Sequence, residues 1–336
     1  MVSEQTENEQ LDVCTWFPMD DGTRLFLRRW KCDKPKAVLH IVHGMAEHSR
    51  RYDRLARCLG LEGIEVWAAD QRGHGETANS GRNALGRGGL LGHSADKDSI
   101  ARVTADVHII NKAILKEHSG LPLFLLGHSW GSFIAQDYIE NYEGRSRVQD
   151  ETPVNLAGCI LSGTRGPGVG LKIALGGPFV GFLAFLLGGR TASKLVRAIV
   201  DGPYNKAFKP NRTSFDWLSR DEKEVNAYVA DPLCGTLCSV GFYRDMACSL
   251  KRLHNKGEMG KIRKELPICI ISGSADPVGD MGASPAALAV AYRHQEIKDL
   301  ETALFPDARH ELLNETNLEE VQESLISWLF RHCKTE

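Results

Sequence analysis

The sequence predicts an α/β fold, with a mostly parallel central sheet flanked by helices and an inserted helical cap. Short, almost continuous apolar runs alternate with longer helical patterns, which is typical of strands that are buried on both faces between helices. Several of these runs end at a glycine or another turn residue. The chain has 336 residues, of which 42% are hydrophobic and 25% charged, enough for a substantial core.

The predicted strands and helices are spread over the whole chain. The strands are Ala37–Val42, Val66–Ala69, Leu123–Leu126, Leu156–Leu161, Ile268–Ile271 and Thr302–Phe305. The helices are Arg50–Leu61, Asp98–Glu117, Ser132–Tyr142 and Leu318–His332. Ahead of them, a turn at residues 20–22 separates Val13–Phe17 from Arg24–Trp30, which predicts an antiparallel hairpin at the start of the sheet.

The alternation of strands and helices is interrupted between about residues 163 and 260. We therefore predict a core in two parts, residues 12–162 and 261–336, with a cap formed by residues 163–260. The cap contains Ile173–Gly189, a run of 17 uncharged residues with five glycines and one proline. A membrane-spanning helix needs about 20 apolar residues. We interpret the run as a lid that either lines an acyl tunnel and touches a membrane or packs on the core.

Composition excludes several classes of protein. The formal net charge is −2, without the basic patch that a nucleic-acid-binding protein needs. The polar, acidic first ten residues do not resemble a secretory signal. Nine scattered cysteines suggest reduced thiols in a cytoplasmic protein, and we interpret Cys234 and Cys238 as small buried hydrophobes because no further ligand pair accompanies them. The oligomeric state is left open.

The candidate nucleophile is Ser129, in Gly127-His128-Ser129-Trp130-Gly131. This sequence fits G-x-S-x-G, with an apolar strand before it and a helical pattern after it. A serine in a tight strand-to-helix turn projects above the sheet, and the helix directs its N-terminal amides toward developing negative charge. Ser94 lies in a near copy of the motif. That copy lacks the second glycine and a preceding strand, so we favour Ser129.

A serine nucleophile needs a histidine base and an acid to orient that base. In hydrolases with this strand–turn–helix serine, the acid and then the histidine follow the nucleophile in the chain. His310 lies in a loop after the last predicted strand, whereas His294 and His332 fall within helical patterns. Asp276 lies just past the preceding strand and could alternatively be an ordinary turn residue. We predict that Asp276 and His310 complete the site.

The oxyanion of the reaction intermediate needs two backbone donors, one after the nucleophile and one from an early loop. These donors are the amides of Trp130 and of Met45, which follows a strand and a His-Gly pair. Three polar residues on neighbouring loops, Glu47, Arg72 and His74, are expected to hold those loops rather than to react. The predicted chemistry needs no metal and no cofactor.

Together, these motifs resemble the monoacylglycerol lipase/lysophospholipase branch of the α/β-hydrolases. The matching stretches are HGMAEHSRRY (43–52), DQRGHGET (70–77), GHSWG (127–131), SGSADPVG (272–279) and DARHELLNE (307–315). The resemblance extends from about residue 12 to the end and is weakest in the cap. It implies a cytoplasmic or membrane-peripheral esterase that removes one acyl chain from a glycerol-based lipid. The last two stretches look more like bacterial members and indicate a bacterial source.

Two departures from the family pattern bear on substrate choice. Ala46 stands where a glycine is frequent, and Trp130 is bulkier than the methionine that often follows the nucleophile. A Trp130 ring that lined the acyl pocket would favour shorter or differently shaped chains.

Three alternative functions stay open: an acyl thioesterase, a peptidase or amidase of the S33 type, and a catalytically silent lipid-binding protein.

Overall fold

A computed structural model describes residues 12–79, 90–145, 153–168, 180–181 and 184–333. Its strands are β1 (Asp12–Pro18), β2 (Arg24–Trp30), β3 (Ala37–Val42), β4 (Ile64–Ala69), β5 (Leu123–His128), β6 (Gly158–Ser162), β7 (Ile268–Gly273) and β8 (Leu300–Phe305). They form one sheet in the order β1-β2-β4-β3-β5-β6-β7-β8. The β1–β2 and β2–β4 pairs are antiparallel and the other pairs are parallel. The predicted sheet and its opening hairpin are thereby confirmed.

Helices cover both faces of the sheet. They are α1 (Asp53–Leu61), α2 (Gly75–Asn79), α3 (Ser99–Glu117), α4 (Trp130–Asn141), α5 (Lys194–Val200), α6 (Glu222–Ala230), α7 (Val240–Leu253), α8 (Lys256–Met259), α9 (Ala283–His294) and α10 (Leu318–His332). Alternate side chains of β3 point to opposite faces, as a strand requires. Val38 and Val42 pack with α3 and α4, whereas Leu39 and Ile41 pack with α1 and α10. The two faces therefore have separate apolar cores.

Some strand boundaries differ from the prediction by two residues. β4 begins at Ile64 rather than Val66, because Ile64 pairs with Ala37 at the start of β3. β6 begins at Gly158 rather than Leu156, whose carbonyl oxygen accepts a hydrogen bond from the Arg263 side chain at 3.0 Å. A distant side chain that hydrogen-bonds to a backbone carbonyl leaves no pattern in the local sequence. The start of β6 could therefore not be read from that sequence.

The predicted cap contains α5 to α8. Its helix α7 packs against α3 and α4 of the core, and a small separate cluster forms around Trp217 and Tyr228. Of the apolar run Ile173–Gly189, only residues 180–181 and 184–189 lie within the described part. Among the described helices, none combines the length and apolar character that crossing a membrane requires. The domain boundaries at residues 163 and 260 stay predictions.

Candidate active site

Ser129 occupies the sharp turn between β5 and α4. Its φ is +53°, a strained value for a residue with a side chain, and its amide donates to the Ser162 carbonyl at 2.8 Å. The flanking glycines leave room for this turn. A Cβ atom on Gly127 would lie 2.3 Å from the Gly131 carbonyl oxygen, and one on Gly131 would lie 2.0 Å from the Val42 carbonyl oxygen. Backbone crowding therefore explains both glycines of the motif.

The structure brings the three predicted side chains into one hydrogen-bonded chain. His310 Nε2 lies 2.8 Å from Ser129 Oγ, and His310 Nδ1 lies 3.0 Å from Asp276 Oδ2. The other carboxylate oxygen of Asp276 accepts the Val278 amide at 2.8 Å, which fixes the carboxylate. His310 and Asp276 are both buried, and the Trp217 ring packs 5.1 Å from the imidazole. This is the geometry of a nucleophile, a base and an orienting acid.

The electrostatics around His310 favour a protonated imidazole during a reaction. Burial alone lowers the pKa of His310, but the charge and hydrogen bond of Asp276, helped by Glu311 and Glu47, outweigh it and raise this pKa above 6.5. By contrast, burial lowers the pKa of the neighbouring His128 to about 4. The two rings lie 4.9 Å apart, and only His310 has a carboxylate within hydrogen-bonding distance to stabilise its positive charge.

The competing residues have other roles. Ser94 donates its hydroxyl to the Arg72 carbonyl at 2.7 Å and is buried in a loop. His294 is exposed at the end of α9. His332, at the end of α10, lies 3.0 Å from Asp299. All three therefore lie outside the Ser129 site.

The backbone amides predicted as oxyanion donors belong to two different loops. Met45 lies in the β3–α1 loop (residues 43–48), where Glu47 Oε1 accepts the Gly44 amide at 2.5 Å. Ala46 in this loop has φ +56°, a conformation that a glycine would adopt with less strain. Trp130 is the first residue of α4, so its amide has no acceptor within the helix. Both amides remain predicted donors.

The ring of Trp130 packs between the core and the cap. It stacks on His74 at 5.3 Å and packs against Phe242 of α7 at 5.0 Å, with only 1% of the residue exposed. Trp130 does not belong to the described lining of the cavity beside Ser129. In the described structure the ring therefore joins α4 to α7 and does not line the cavity beside Ser129.

The loops next to the site are held by polar contacts. His43 Nε2 accepts the Gln71 amide at 2.9 Å and thereby joins the β3–α1 loop to the loop after β4. Arg72 forms ion pairs with Asp106 and Asp21 at 2.5 and 2.6 Å. These contacts agree with the structural role expected for Arg72.

A cavity of about 30 Å³ lies beside Ser129, between the β3–α1 loop and the cap. This space admits only small molecules of about the size of water. The cap contributes both aromatic and charged residues to its lining. They include Arg197, Asp201, Phe215, Trp217, Tyr228 and Thr236.

Comparison with known proteins assigns the family. Residues 33–317 match the family described as "Serine aminopeptidase, S33". The chain belongs to this hydrolase family. The S33-family chain is 28% identical to human monoglyceride lipase over 77% of its own length and 72% of that protein. It is 25% identical to monoacylglycerol lipase of Mycolicibacterium smegmatis, covering 93% of this chain and 94% of the relative.

A solved structure supports the same fold. A thermostable carboxyl esterase from Bacillus coagulans, crystallised in complex with glycerol, superimposes with a TM-score of 0.82 at 25% identity. The match covers 96% of this chain and 99% of the esterase. The predicted α/β-hydrolase fold is thereby confirmed.

One part of this S33-family site was missed in the sequence. Arg51 binds both carboxylate oxygens of Glu311 at 2.5 and 2.6 Å and also binds Glu47 at 3.0 Å. Its guanidinium packs over the Tyr228 ring at 4.8 Å. Arg51 thus links the loop that carries His310 to the β3–α1 loop. A local signal for this network is the acidic residue Glu311, which directly follows His310.

Proposed function

We propose that this protein hydrolyses the ester bond of a single-acyl lipid, a monoacylglycerol or a lysophospholipid, with Ser129 as nucleophile. The hydrogen-bonded chain from Ser129 through His310 to Asp276 carries the proposal. The names of the relatives in humans and Mycolicibacterium support an acylglycerol as the substrate class.

The reaction proceeds through an acyl-enzyme. His310 Nε2 takes the proton of Ser129 as Oγ attacks the ester carbonyl, and Asp276 stabilises the resulting imidazolium. The amides of Met45 and Trp130 stabilise the oxyanion, and loss of one such donor costs about 10²–10³ in kcat. His310 then protonates the departing alcohol. Water, deprotonated by the same imidazole, attacks the acyl carbonyl and releases the fatty acid.

Two charged cap residues are suited to bind the hydroxyl groups of the departing alcohol. Arg197 and Asp201 line the cavity, with Arg197 Nε 3.7 Å from Asp201 Oδ2. Asp201 Oδ1 is buried without a hydrogen-bond partner among the described residues. A buried acceptor of this kind gains free energy when a ligand hydroxyl donates to it. Asp201 is therefore our candidate for head-group recognition.

We propose that the cap moves to admit the substrate. The cavity that the described residues enclose beside Ser129 measures only about 30 Å³, which is too small for an acyl chain. Apolar side chains are exposed on the outside of the cap at Phe185, Leu186, Leu187, Leu195 and Ile199. We propose that these residues contact a membrane surface, where they would lose exposed apolar area.

Vesicle binding tests the membrane contact. Leu195→Glu and Ile199→Glu, one turn apart on α5, should reduce co-sedimentation with phosphatidylcholine vesicles. Leu61→Glu is the matched control, because Leu61 is equally apolar and 80% exposed but lies at the end of α1, outside the cap. Equal sedimentation of all three variants and the wild type would contradict the contact.

Amide hydrolysis is a second candidate function, favoured by the S33 family description and by the acidic Asp201 in the cavity, which could bind a substrate amine. A substrate panel separates the two. We expect turnover of monoacylglycerols or lysophospholipids by the wild type and none by Ser129→Ala. Turnover of aminoacyl amides alone would show that the lipid proposal is wrong, and preferential turnover of acyl-CoA would indicate a thioesterase.

A further inference from the structure

Three potential metal ligands, one from the β3–α1 loop and two neighbouring ones from the cap, meet where the cap contacts that loop. One ligand atom from each of His48, Asp231 and Cys234 lies within 4.8 Å of the other two. His48 Nε2 is 3.0 Å from Asp231 Oδ2. We propose that these three residues form a site for Zn²⁺ or a related transition-metal ion, separate from the Ser129 centre.

The types of ligand select the class of metal. One imidazole nitrogen, one carboxylate oxygen and one thiolate sulfur suit zinc, which accepts all three, whereas Ca²⁺ and Mg²⁺ prefer oxygen ligands alone. Three protein ligands leave a fourth tetrahedral position for water. Binding requires the thiolate, so Cys234 releases one proton, and His48 carries its remaining proton on Nδ1.

The surrounding charge also favours a cation. Three carboxylates, those of Asp231, Glu47 and Glu311, act electrostatically on Cys234, and the Arg51 guanidinium acts in the opposite sense. Three carboxylates and one guanidinium leave two negative charges without compensation in this region. A divalent ion would neutralise them and stabilise the thiolate.

The position of the site determines how an ion enters it and what a bound ion would do to the structure. The Asp231 side chain is 34% exposed, whereas His48 and Cys234 are buried, so an ion reaches the site from the Asp231 side. Next to the site, the Gly235 amide donates to the Ala46 carbonyl at 2.8 Å. A bound metal would therefore cross-link the cap to the loop that carries the Met45 amide.

Cobalt spectroscopy of the full chain tests the site. The purified protein, freed of metal with a chelator, is titrated with Co²⁺, which reports a thiolate ligand by a charge-transfer band in the near ultraviolet. We expect this band to saturate at one equivalent and to disappear when Zn²⁺ is added. Cys234→Ser should abolish it, and Asp231→Asn should weaken Co²⁺ binding by about tenfold or more.

Matched variants make the outcome decisive. Cys238→Ser replaces another buried cysteine outside the cluster and should keep the band. A second cluster, Asp299, Glu301 and His332, has no sulfur, so an ion bound there gives no thiolate band. Absence of the band in the wild type, its survival in Cys234→Ser, or its equal loss in Cys238→Ser would overturn the proposal. If Cys234→Ser does not fold, Asp231→Asn, at a partly exposed position, decides the question.

Discussion

Replacing Arg51 with methionine should destabilise the protein by about 3–5 kcal/mol, the usual cost of removing one partner from a buried ion pair. The magnitude follows from what the substitution leaves behind. The side chains of Glu47 and Glu311 are only 4% and 6% exposed, and both depend on Arg51 for an opposite charge. Methionine fills much of the same volume but cannot compensate either carboxylate.

Urea unfolding measures this effect, with Arg54→Met as the control. Arg54 lies three residues further along and pairs with Glu224 at 3.3 Å, but its side chain is 50% exposed. An exposed pair contributes about 0–1 kcal/mol, so Arg54→Met should change the free energy of unfolding by less than about 1 kcal/mol. Equal destabilisation by the two substitutions would refute the interpretation of Arg51 as a buried link.

A double-mutant cycle with Glu311→Gln isolates the Arg51–Glu311 interaction. Because Glu311→Gln removes one of the uncompensated charges, the double variant should be more stable than the sum of the single effects predicts, by about 1–3 kcal/mol. Additive effects would show that the two side chains do not interact in solution. Ester hydrolysis by Arg51→Met should also fall by about 10²-fold, because the loops that carry His310 and Met45 lose their connection.

Three further predictions concern the site itself. Gly131→Ala should destabilise the protein by about 3 kcal/mol or more and abolish activity, because the new Cβ would lie 2.0 Å from a backbone oxygen. Gly189→Ala should be tolerated, because its nearest neighbour would lie at 4.0 Å. Equal thermal unfolding temperatures for the two variants would contradict this prediction. His310 must be neutral to accept a proton, and its pKa is raised above the ordinary 6.5. We therefore expect kcat/KM to fall as the pH decreases, with the midpoint of the fall above pH 6.5. A midpoint below pH 6.5 would contradict the pKa argument. Asp201→Asn should raise KM for a monoacylglycerol by about tenfold. It should not change KM for an aryl ester of the same acyl chain, which has no glycerol hydroxyl groups. Equal effects on the two substrates would exclude head-group binding by Asp201.

The features predictable from the sequence are those encoded locally. Ala37–Val42 reads as a buried strand without reference to the rest of the chain, and β3 has these bounds. The position of Ser129 between a strand and a helix is equally local. Two observations predict His310 and Asp276: both follow the nucleophile in the chain, and both lie in loops at the ends of strands. Such loops come together because the carboxyl ends of parallel strands meet at one edge of the sheet.

The features that were missed depend on contacts between distant residues. Arg51 and Glu311 are 260 positions apart, and His48 and Asp231 are 183 apart, so no local pattern connects them. The environment of the Trp130 ring depends on the same kind of contact. Its partner Phe242 belongs to a cap helix whose packing against α4 follows from the tertiary structure alone.

Covalent labelling tests the central claim most directly. A fluorophosphonate probe reacts with an activated serine, and mass spectrometry of the digested protein identifies the labelled residue. We predict one adduct on the peptide that contains Ser129, none on the peptide that contains Ser94, and no labelling of Ser129→Ala. Retained labelling of folded Ser129→Ala, or an adduct on Ser94 in the wild type, would contradict the assignment of Ser129 as the nucleophile.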